Sequence, residues 1–200
     1  MFSSKSQVER RIVRRYWDDG LLDILAGVVT LLIALAWHFE LVPLGALAPV
    51  VVIPFWKPMR AWITEPRLGH VELSDAQEGR YRSFLRWSCG IGCVTFLAAV
   101  LTYFFVVTME RDTPQQQWVA AIPAWAFAML ALLTSLVILV RRFVGYAAIF
   151  LVLGICVVAQ GYEPEFAMFV GGSAVTVIGL LRLLAFVRSH PSQPLGMNGA

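Results

Sequence analysis

A polytopic membrane bundle of about six α-helices, with both termini on the cytoplasmic side, is the fold class the sequence predicts. Three observations predict it. Of 200 residues, 58% are hydrophobic and only 14% are charged, whereas a soluble domain carries roughly 45–50% apolar and about 25% charged residues. The mean hydropathy of +0.71 is more apolar surface than a soluble chain of this length can hide. The apolar residues also fall into six runs close to the length that crosses a bilayer, about 17–25 helical residues, and the basic residues flank those runs on one side.

The six runs are Leu21–His38, Leu41–Trp56, Trp87–Met109, Trp118–Val140, Phe143–Gln160 and Phe166–Val187. With the N-terminus inside, each of the 16 Lys and Arg residues except Arg111 falls on the inner face. That asymmetry is the signature of cytoplasmic loops. The outer connections hold Glu40, Glu110, Asp112, Glu163 and Glu165. Trp17, Trp56 and Trp87 mark inner boundaries, and Trp37 and Trp118 mark outer ones, because indole rings favour the half-wet interfacial layer.

Residues 1–20 form an amphipathic cytoplasmic segment. Val8, Ile12 and Tyr16 recur at helical spacing, while Arg10, Arg11, Arg14 and Arg15 suit anionic lipid. No cleavable signal is expected, since the apolar run that follows is too long and lacks a small-residue cleavage pattern. Residues 21–188 form the membrane domain. Its second span is punctuated by Pro43, Pro49, Pro54 and Pro58. The sequence leaves two readings open there, a kinked packing helix or a broken helix lining a cavity. A cytoplasmic loop over 57–86 interrupts the domain. Pro66 and Gly69 suggest a turn in it, and Ser74 with Gln77 forms a capping box before a helix that leads into the third span. Residues 189–200, rich in Pro, Gly, Ser and Asn, form a disordered tail.

Composition also narrows function. The pI near 9.0 rests on a net charge of only +3 and on basic residues spread along membrane flanks, so no nucleic-acid partner is expected. Phosphate-binding glycine loops and the metalloprotease, serine-hydrolase and C-x-x-C motifs are all missing from the sequence. No catalytic residue, metal site or cofactor is assigned. Cys89 and Cys93 share a helix face, and with Cys156 they offer sulfur for a soft metal. The neighbouring Ser88, Gly90 and Gly92 favour close packing instead. His38 with the outer carboxylates lacks metal-ligand spacing. Gly171, Val175 and Gly179, with Gly172 and Thr176, make a small-residue stripe on the last span. The stripe suits helix packing and allows a homo-oligomer without requiring one.

Asp23 is the most informative residue. An ionisable group inside a span is costly and marks a partner or water. Arg182 lies at similar depth near the inner end of the last span, so the two are expected to pair and pin the first helix to the last, with Arg86 as the competing partner.

Tyr16-Trp17-Asp18-Asp19-Gly20-Leu21-Leu22-Asp23-Ile24-Leu25-Ala26-Gly27 and Thr64-Glu65-Pro66-Arg67-Leu68-Gly69-His70-Val71-Glu72 together resemble a loosely defined group of small, uncharacterised prokaryotic multi-pass membrane proteins. Those open their first helix with D-G-L-L-D-I-x-x-G and carry a P-R-[LI]-G-x-V element after the second. The resemblance covers about the first third of the chain and brings no activity with it. It implies a prokaryotic plasma membrane, and it directs attention to Asp23, Gly27, Pro66, Arg67 and Gly69. The leading expectation is a non-enzymatic interaction or regulatory membrane protein whose partners are the lipid bilayer and a protein at the 57–86 loop. The alternative is a small transporter or channel subunit built on the proline-broken second helix, with a membrane enzyme third.

Overall fold

The computed structural model describes residues 19–68, 114–138 and 140–191, and among these every regular element is helical. Four helices are long and apolar enough to cross a membrane. They are α1 (Leu21–His38), α6 (Pro114–Ile138), α7 (Arg142–Gln160) and α8 (Pro164–Ser189). Between α1 and the first undescribed stretch lie α2 (Val42–Gly45), α3 (Ala48–Val52), a 3-10 turn over Ile53–Phe55, α4 (Trp56–Ile63) and α5 (Glu65–Leu68). The third expected span, the N-terminal segment and the tail beyond residue 191 lie outside the described residues, as do Gly69, Arg86, Cys89 and Cys93.

Helix α1 has the bounds the sequence predicts. Its first turn is set by Asp19, whose Oδ1 accepts the Leu21 N–H at 3.1 Å, and by Gly20 at φ 80°. Its last turn closes in a Schellman motif. Leu41 N–H donates to Ala36 C=O at 2.7 Å and Glu40 N–H to Trp37 C=O at 2.9 Å, with Glu40 in the left-handed region at φ 59° where glycine is usual.

The second expected span is not one helix. Pro43, Pro49 and Pro54 each stand in the first positions of successive short pieces, and Pro58 stands in the first turn of α4. A proline there forfeits an N–H that has no helical acceptor anyway, but it cannot continue the preceding piece. The chain is therefore helical throughout yet restarted repeatedly. It runs back along α1: Gly45 lies against Ala36 and Ile33 near one end, and Thr64 bonds to Asp19 at the other. The first residues of the expected 57–86 loop are thus helical, and Pro66 sits inside α5 instead of opening a turn.

The long helices alternate in direction. Asp23 of α1 meets Arg142 at the start of α7, and Gly20 meets Arg182 and Leu183 near the end of α8. At the opposite end His38 faces Glu165, and Gly161 approaches Gln117. Lys57, Arg60, Arg67, Arg141, Arg142, Arg182 and Arg188 all stand at the first, basic end. Glu40, Glu163 and Glu165 stand at the second, acidic end, where no Lys or Arg occurs among the described residues.

Helices α1 and α8 form one tight pair and α6 and α7 another. A Cβ on Gly27 would collide with the Thr176 hydroxyl and come within 2.9 Å of the Gly172 carbonyl, so only glycine lets the backbones meet. Small residues also fill the seam of α6, α7 and α8 through Ala120, Ala121, Ala124, Val157 and Ala167. Phe143, Tyr146, Phe150 and Val175 fill the seam nearer the basic end. Outside, Leu35, Leu136, Ile155, Val177, Leu181 and Leu184 are exposed. An apolar coat around apolar helices is stable in lipid, not water. The chain is a multi-pass membrane protein by this architecture.

Candidate functional site

The buried charged groups of the described residues gather at the basic end, where α1, α4, α7 and α8 converge. Asp19 and Asp23 are both fully buried. Asp19 is well satisfied: besides the Leu21 N–H, its Oδ2 accepts the Thr64 hydroxyl at 2.9 Å. Arg60, also buried, adds its positive field and covers the Trp56 ring at 5.2 Å. Burial pushes the Asp19 carboxyl above its ordinary range, against the opposing pull of Thr64, the Leu21 N–H, Arg60 and Arg142.

Asp23 sits one turn deeper. Its Cβ lies beside Gly179, where an added methyl would come within 3.0 Å of it. Its Oδ1 stands 3.2 Å from Arg142 Nε, and that guanidinium is itself 7% exposed. The Tyr146 hydroxyl, one turn along α7 from Arg142, interacts with the same carboxylate. Yet neither Asp23 oxygen, nor Arg142 Nε, nor the Tyr146 hydroxyl has a well-directed hydrogen bond. The contact is an ion pair by distance and lacks the alignment of a strong charged hydrogen bond.

Arg182, the partner expected from sequence, is on the face of α8 packed against Gly20. It attracts Asp23 more weakly than Arg142 does. The first and last helices do close against each other as expected, but the cation paired with Asp23 comes from α7. The reason is helix rotation, which turns Arg182 toward Gly20 and Arg142 toward Asp23. Arg142 is the first residue of a span that starts at the basic end, so its side chain reaches the level of Asp23. Arg142 was read in the sequence only as a topological charge. The spacing of Arg142 and Tyr146, one turn apart on one face, is the signal that links them to the site. Asp19, Arg60 and Thr64 carried no such signal, since their meeting depends on the chain returning along α1.

The other candidates have structural settings. Gly27 is a point of close approach between α1 and α8. Arg67 reaches back to donate through Nη1 to the Ile63 carbonyl, closing the end of α4, and Pro66 precedes it in α5. At the acidic end His38 lies 3.8 Å from Glu165 and edge-on to Phe39 and Phe169. Among the described residues no three His, Cys, Asp or Glu side chains converge to hold a metal ion. Cys156 is half-buried.

Chemically, the cluster joins two carboxylates to three guanidinium groups and a phenol in a largely buried setting. Such a group can bind four elements together or hold a proton. The chain matches no protein-family model, no curated protein and no solved structure.

Proposed function

We propose that this is a six-span plasma-membrane protein with its basic end and both termini in the cytoplasm, acting without catalysis as an interaction or regulatory protein through residues 57–86. The observation that carries the reading is the Thr64–Asp19 hydrogen bond at 2.9 Å. It ties the root of that segment to the first helix, so a partner engaged there would act on the bundle directly. Clustering of the described Lys and Arg at one end supports the orientation. Thr64 and Gln117 stand at opposite ends of the bundle, which supports an odd number of crossings between them and hence six in all. The resemblance to small prokaryotic membrane proteins supports the compartment. Capture from membranes with residues 57–86 intact, scrambled, or carrying Thr64→Val tests the proposal. Specific partners should be lost with the scrambled segment and weakened by Thr64→Val. Identical partner sets would contradict it.

One observation favours a second reading, a small transporter or channel subunit: the Asp23 carboxylate is buried without a directed hydrogen bond. Flux across liposomes tests it, and an Asp23→Asn protein with unaltered flux removes that residue from any pathway.

A further inference from the structure

Asp23 is in an unusual state for a buried carboxylate. Water would offer an ionised carboxylate donors at about four lone-pair sites, and burial removes them. The protein returns one ion-pair contact at 3.2 Å and no directed donor to either oxygen. Buried polar atoms without partners are rare enough in folded proteins that each calls for a cause. Beside it stands the Tyr146 hydroxyl, 5% exposed with its residue, which meets the same carboxylate without a well-directed hydrogen bond. An ionised carboxylate buried with so little compensation is relieved of its charge by one proton.

We propose that Asp23 is a reversible proton-binding site, filled from water at the basic end, and that the neutral acid donates its O–H to the Tyr146 phenol oxygen. The step forms one O–H bond at a carboxylate oxygen and consumes one proton from solvent; no other bond changes. It rests on the membrane reading of the bundle and deepens the second functional reading, though it does not require transport. Access is short. Asp23 is the third residue of α1, roughly 3–5 Å along the axis from the helix start.

The charged groups that face Asp23 set what the proton does. From its own chain comes Asp19, held by Thr64 and by Arg60 of α4. From α7 come Arg142 and Tyr146, and from α8 comes Arg182. Neutralising Asp23 removes the attraction that draws Arg142 and Arg182 toward α1. Proton uptake therefore weakens one of the attractions that hold α1 to α7 and α8.

Infrared difference spectroscopy of the full chain in liposomes, between acid and alkaline buffer, tests this. The carbonyl stretch of a protonated carboxylic acid should appear on acidification, vanish in Asp23→Asn, and move to higher frequency in Tyr146→Phe, which loses the hydroxyl beside the acid. Absence of such a band over about pH 4 to 9 overturns the proposal, as does a band that survives in Asp23→Asn. If Asp23→Asn does not fold, Tyr146→Phe decides, and an unmoved band overturns it. A band with all these properties but no flux would leave the proton site standing and remove the transport reading alone.

Discussion

An alanine at position 23 takes the carboxylate from beside Arg142, and an alanine at 142 takes the cation from a fully buried carboxylate. Breaking a buried pair from one side typically costs about 3–5 kcal/mol, so each variant should melt well below the parent in detergent. The double variant should lose less than the sum, by roughly 0.5–3 kcal/mol. Additive losses would mean that the two side chains do not act on each other. Asp19 gives a test with a definite sign. Its burial raises the folded-state pKa, so its contribution to stability is present in full below the unfolded value near ~3.9 and is lost as pH rises through the folded value. Asp19→Asn does not titrate. Relative to that variant, the parent should therefore gain stability as the pH of melting is lowered from neutral toward about 4. A difference that is flat, or that grows toward alkaline pH, would contradict the assignment. At this scale the sequence shows which residues are out of place in lipid, and Asp23 was legible for that reason. It does not show which of several cations at the same depth will arrive, because that is set by how the helices rotate against each other.

Helix α1 and its return strand of short helices carry the next level. The α1–α8 seam depends on Gly27 having no side chain. Gly27→Val should separate the pair, and engineered cysteines across the seam should lose their ready cross-linking. Undiminished cross-linking would show that the close approach is not needed. At the far end of α1, Glu40 holds a left-handed conformation that costs a non-glycine residue roughly 1–2 kcal/mol. Glycine relieves that strain while loosening the unfolded chain. Glu40→Gly should leave melting unchanged or raise stability by up to about 1 kcal/mol, and a clear drop would show that the Glu40 side chain does something there. The long spans were legible because length and hydropathy suffice to define them, and their ends fall where charge returns. The second segment was legible only in part. Four prolines announce breaks, but apolar length alone cannot say that the chain restarts as a series of turns, nor that α4 carries it on to Thr64.

For the molecule as a whole, direction and charge agree. The described chain alternates between two ends, one collecting every described Lys and Arg and the other holding Glu40, Glu163 and Glu165. Exposed Trp62, 87% accessible, stands at the basic end, and Trp118 with the tilted Tyr162–Phe166 pair stands at the acidic end. Those are the levels at which aromatic side chains meet the bilayer interfaces. The buried charge cluster then lies at the basic end and roots the segment proposed to meet a partner. The orientation of that end is the claim on which the rest depends, and reporter fusions in bacteria test it most directly. A reporter active only outside the cytoplasm should be silent when joined after Ala200 and active when inserted within residues 110–116. Activity after Ala200 with silence at 110–116 would invert the protein and contradict the account.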